Sequence, residues 1–121
     1  MSARKAHHKL LVWQEAMTLA EMVHELTATF PKHETYCLGM QMRRAAISVP
    51  SNLAEGAGRN GPKELIQFVS FASGSLAELE TQLELAVRLK YVQPDAKAVG
   101  QLSRVGRLLV GLQNALKNRE P

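Results

Sequence analysis

Few residues in this chain of 121 have the type and spacing to do chemistry. Glu21 and His24 form one Glu-x-x-His pair, the unit from which carboxylate metal centres are built inside helical bundles. Such a centre needs a second pair on a facing helix, and the sequence has none. His7 and His8 are adjacent, not spaced i, i+4 as two ligands on one helical face would be. His24 and His33 have no spaced partner ligand. The single cysteine, Cys37, lacks an obvious activating base, and the serines occur in no nucleophile motif. The run GAGRNGP (56–62) is rich in glycine but lacks the GK[ST] ending of a phosphate loop, and no strand precedes it. These residues predict no enzyme, no catalytic residue, no metal and no cofactor.

Basic side chains are the stronger lead, and their meaning depends on the elements that carry them. Val12, Ala16, Leu19, Val23, Leu26 and Phe30 step by four and three, which predicts a first helix over 10–30, stopped by Pro31. Leu38, Met42, Ala45, Ala46, Val49, Leu53 and Gly56 share one arc of a second helix over 35–59. Pro50 lies inside it. Either the helix kinks there, or it breaks and restarts with Asn52 as cap and Glu55 completing a capping box. The stripes keep phase across Pro50, which favours the kink. Leu65, Val69, Ala72, Leu76, Leu79, Leu83 and Ala86 form a heptad-like seam in a third helix over 62–90. A fourth helix, capped by Asp95 or a neighbour, reaches Lys117 with Val99, Leu102, Val105, Leu109, Leu112 and Leu116 inward. Gly100, Gly106 and Gly111 in that helix predict close approach of a neighbour.

Four long helices joined by short turns predict an all-α, antiparallel up-down-up-down four-helix bundle. The expected organisation is a flexible basic tail at 1–9 and one bundle domain at 10–118. One cysteine agrees with a reducing compartment. The absence of a long apolar run or an apolar leader predicts a cytoplasmic protein with no membrane partner.

On that topology Arg4, Lys5, Lys9, Arg59, Lys63, Lys117 and Arg119 converge at one end, opposed only by Glu55, Glu64 and Glu120. Net charge is +4 overall, so this is a local excess suited to phosphate contacts with RNA or DNA. The alternative is that solvated loops and termini carry lysine for no binding reason. Counted by helical rise, Arg43 and Arg44 stand level with Glu78 and Glu80. They predict a salt-bridge layer that sets helix register or a subunit contact.

The second and third helices carry more apolar surface than one core requires. Met40, Arg43, Ile47, Pro50, Ala54 and Gly58 make a further arc on the second, and Phe71, Leu85 and Leu89 lie off the seam of the third. A second neighbour is implied, from within the chain or from another subunit.

The segments VWQEAM, LGMQMRRAAISVPSNLAEGAGR and KELIQFVSFASGSLAELETQLELA resemble the 23S rRNA intervening-sequence proteins over about residues 10–116. These are small bacterial four-helix bundle proteins. A relative is the accessory protein of diversity-generating retroelements, a basic bundle that partners a reverse transcriptase and nucleic acid. The resemblance implies a kinked second helix and a homo-oligomer, a ring of five. In that case Met40, Arg43, Ile47, Ala54, Phe71, Leu85 and Leu89 form the oligomer interface. It implies no established activity, and the chain departs from the strongly basic retroelement version in its modest charge. Two functions stay open: a non-enzymatic oligomer that contacts RNA or DNA, and a scaffold that binds a protein partner.

Overall fold

The computed structural model describes residues 5–119, which contain helices and turns and no strand. Four helices, α1 (Leu11–Thr27), α2 (Met40–Ala57), α3 (Pro62–Arg88) and α4 (Lys97–Lys117), pack around one apolar core. Leu19 and Val23 of α1, Met42, Val49 and Leu53 of α2, Val69 and Leu79 of α3, and Val105 and Leu109 of α4 are fully buried. These are the stripe positions of the sequence. Burying each stabilises the fold by about 1.5–3 kcal/mol before conformational entropy is charged against it. Helical stability in a protein comes mostly from packing of the amphipathic face, so the shared core holds them.

The ends of the bundle follow from two contacts. Phe30, just after α1, lies 5.3 Å ring to ring from Tyr91, just after α3, and the Tyr91 hydroxyl donates to Glu34 at 2.9 Å. The α1–α2 and α3–α4 connections therefore share one end. The short turn from Gly58 to Gly61 joins α2 to α3 at the other. Along the seam between these two helices, a Cβ on Gly56 would come within 2.6 Å of the Phe68 Cβ, and the Ser48 and Ser75 hydroxyls meet at 2.8 Å. Gly56 thus faces Phe68, Ser48 faces Ser75, and Asn52 stands level with Phe71 and Ala72.

Several local expectations need revising. Helix α2 runs without interruption through Pro50, so the break at Asn52 does not occur. Instead of capping a new helix, Asn52 Nδ2 donates back to the Ser48 carbonyl at 2.8 Å. The approach to α2 is wound as a π-turn, Thr35–Gly39, before α geometry begins. Helix α4 starts two residues past Asp95, and the neighbour takes the cap position. Its N-cap is Ala96, whose methyl group cannot accept a hydrogen bond, and its first turn closes through Val99 N–H to Ala96 O at 3.0 Å.

Within the expected tail, residues 6–9 form a 3-10 turn. Gln14 Nε2 donates to the His8 carbonyl at 2.8 Å, and the His7 and His8 rings pack 4.8 and 5.1 Å from Trp13.

The glycines of α4 mark no close approach inside the chain. A Cβ on Gly100 or Gly111 would meet nothing within 4 Å, and one on Gly106 would make an ordinary 3.5 Å contact with Leu76. Both open positions fall on the outward arc of the helix.

The salt-bridge layer does not form within the chain either. Arg43 Nε donates to Thr27 Oγ1 at 2.8 Å, while Arg44, Glu78 and Glu80 are exposed and make no ion pair among the described residues. Counting rise along a helix gives height but not direction around the axis. The charge contact that does tie helices together is Arg104 Nε to Glu15 Oε1 at 2.7 Å, supported by Gln101 donating to the Glu15 carbonyl at 2.8 Å.

Candidate nucleic-acid interface

The end that carries the α2–α3 turn gathers the basic residues. Arg59 lies in that turn and Lys63 in the first turn of α3. Lys5 and Lys9 flank the N-terminal turn, which packs against α1 and α2. Helix α4 starts at the opposite end and is roughly 30 Å long at 1.5 Å per residue, which returns Lys117 and Arg119 to the basic end. All six are exposed. Arg4 and Glu120 lie outside the described residues.

What opposes this charge is already engaged. Glu55 lies 3.5 Å from Arg59, a half-exposed pair worth little by itself. Glu64 accepts the Asn60 N–H at 3.0 Å and so holds the turn. Among the described residues Lys5, Lys9, Lys63, Lys117 and Arg119 make no ion pair. Their ammonium and guanidinium groups are open to phosphate, and they repel one another less once counter-charge arrives.

Aromatic surface adjoins the charge. The Arg59 guanidinium carbon sits 5.1 Å above the centre of the Phe68 ring, within cation–π range. Phe71, one helical turn further on, meets Phe68 edge to face at 5.5 Å and is 49% exposed. Sequence reasoning grouped Phe71 with Leu85 and Leu89. All three are exposed, but Phe71 and Leu85 are about 21 Å apart along α3, so they do not form one patch. The pairing of Phe68 with Phe71 is readable as an i, i+3 spacing. The Arg59 contact is not, because it crosses a turn whose geometry rests on Gly61 at φ 98°.

The remaining interface candidates lie on α2. Ile47 and Ala54 line a groove of about 610 Å³ between α1 and α2, together with Trp13, Met17 and His24. Met40 and Arg43 are half-buried beside Ile47, which is 49% exposed. On the far side of the molecule two adjoining hollows of about 440 and 610 Å³ run between α3 and α4, sharing Glu80, Leu102 and Ser103.

Among the described residues the fold shifts two titrating groups, Glu15 in the second turn of α1 and Tyr91 at the opposite end of the bundle. Hydrogen bonds from Arg104 and Gln101 hold the Glu15 carboxyl below the usual range, and the Tyr91 hydroxyl is raised by its bond to Glu34. No group of three His, Cys, Asp or Glu that would hold a metal ion occurs among the described residues. No helix among them is long and apolar enough to cross a membrane.

Comparison with known proteins gives two likenesses. The family described as 23S rRNA-intervening sequence protein matches residues 8–111. Among solved structures, the fold is similar to the crystal structure of a protein with unknown function from the S23 ribosomal protein family of Bacteroides thetaiotaomicron. The TM-score is 0.66 at 17% identity, covering 89% of this chain and 96% of that one, a likeness of fold alone. No curated protein sequence matches the chain.

Proposed function

The chain belongs to the 23S rRNA-intervening sequence protein family, and we propose that it acts as a non-enzymatic homo-oligomer that contacts RNA or DNA phosphates through its basic end. The observation that carries this reading is the set of cations at the α2–α3 end, Lys5, Lys9, Lys63, Lys117 and Arg119, that make no ion pair among the described residues, with Glu55 and Glu64 both engaged. Cations that neutralise nucleic-acid phosphates release counterions. Affinity then falls with salt, by a log–log slope of about 0.7–0.9 per phosphate contacted. Reversing Lys63 and Lys117 to Glu is expected to weaken binding at least tenfold and to flatten that slope, as read by anisotropy titration at several salt concentrations. Binding that is indifferent to salt would overturn the electrostatic mechanism.

The oligomer is supported by apolar surface that the core leaves uncovered. Ile47 is 49% exposed and Met17 39%, both on the α1–α2 groove. Ile47→Asp is expected to dissociate the assembly, measured as mass by sedimentation. An unchanged mass would remove the groove from the interface. The same groove favours a second reading, a scaffold that docks a protein partner and has no nucleic-acid role. Co-purification of a partner that survives nuclease treatment would support it.

A further inference from the structure

We infer that the seam between the start of α3 and the end of α2 is a binding track for single-stranded nucleic acid, with Phe71 as the stacking platform for an unpaired base. The inference rests on the basic-end reading above and narrows it to one class of ligand. Arg59, Phe68 and Phe71 form a continuous file: guanidinium over ring at 5.1 Å, then ring edge to ring face at 5.5 Å. The Arg59 contact covers Phe68 and not Phe71, which stays half-exposed.

Asn52 stands level with Phe71 across the seam. Its Nδ2 is held by the Ser48 carbonyl and hydroxyl at 2.8 and 3.0 Å, while its Oδ1 makes no hydrogen bond among the described residues. A fixed carboxamide with a spare acceptor at the level of an exposed aromatic ring suits the donor edge of a base. Lys63 lies about 12 Å back along the helix from Phe71, where it is positioned for the phosphate backbone of the same strand.

Each part of this arrangement has a known use. Stacking on aromatic side chains with flanking cations is how proteins hold single strands without reading their sequence. A duplex keeps its bases stacked on one another and offers no free face to Phe71. The geometry therefore selects single strand over duplex, which a cluster of lysines alone does not do.

The test is anisotropy titration of the full chain with fluorescein-labelled oligo(U), oligo(dU) and a hairpin duplex of matched length, at the same series of salt concentrations for all three. Single strand is expected to bind roughly tenfold tighter than duplex, and whichever of the two single strands binds better identifies the sugar preferred. Phe71→Leu keeps apolar bulk but removes the π face. It is expected to lose about tenfold for single strand with the salt slope unchanged, and Phe71→Tyr to retain wild-type affinity. Mass by sedimentation is read on the same samples.

Loss of affinity in the Lys63→Glu, Lys117→Glu protein together with full affinity in Phe71→Leu would leave the basic end standing and overturn the stacking role. Equal affinity for hairpin and single strand would overturn it too. A Phe71→Leu protein whose mass falls while its affinity holds would assign Phe71 to a subunit contact instead. No binding of any probe by the wild type would overturn the basic-end reading and this inference with it.

Discussion

The two seams of α3 are built differently. Against α2 it packs closely and far more extensively than against α4. Gly56 is needed there because Phe68 occupies the space a Cβ would take, and Ser48 and Ser75 bond across the joint. Against α4 the same helix leaves two hollows, and Gly106 opposite would take a Cβ in ordinary 3.5 Å contact with Leu76. Glycine in a helix therefore has two meanings in one molecule. In α2 it permits contact; in α4 no contact within the chain calls for it.

Substitutions can break that contrast or sharpen it. The largest effect is expected from the fully buried Leu53. Leu53→Ala should cost about 3–5 kcal/mol, against about 2 kcal/mol for Leu102→Ala, whose surroundings already border the hollows. Urea unfolding of the two variants measures the gap, and equal losses would mean that both seams are equally tight.

Next comes Gly56→Ala, expected to destabilise by about 1–3 kcal/mol as α2 is pushed off Phe68. Gly100→Ala and Gly111→Ala should have the opposite sign. Each gains up to about 1 kcal/mol, because the new methyl enters open space and alanine favours helix. A loss of stability or of assembly mass in either would place α4 against another subunit. Ser48→Ala should cost about 1 kcal/mol through the hydroxyl left unpaired on Ser75, again by urea unfolding.

The smallest effect belongs to the α1–α4 contact. Glu15 has its folded pKa depressed, so its contribution is present above the unfolded value of about 4.3 and is lost as pH falls through the folded one. Arg104→Gln should bring the Glu15 titration back toward the ordinary value in an NMR pH series, with little change in stability at neutral pH. Arg104 is half-exposed, so solvent screens the pair.

Periodicity made the bundle legible. Stripes such as Val12–Ala16–Leu19–Val23 name the buried faces because burial drives the pattern directly. Details that depend on direction around an axis were not legible. Arg43 stands at the height of Glu80, yet it turns to Thr27 on α1. Gly56 and Gly100 look alike until the neighbouring helix is in place. The candidate site divides the same way. Its lysines follow from topology, whereas Arg59 over Phe68 and the level of Asn52 with Phe71 follow from the register of two helices that no local pattern encodes.

The turn from Gly58 to Gly61 has a kinetic consequence. It joins the two helices that share the most surface, so the earliest contacts of the chain close a short loop at small entropic cost. Refolding is expected to begin from the α2–α3 hairpin, with α1 and α4 docking afterwards. Gly56→Ala should then mainly slow folding and Leu102→Ala mainly speed unfolding, as the two arms of a chevron plot would show.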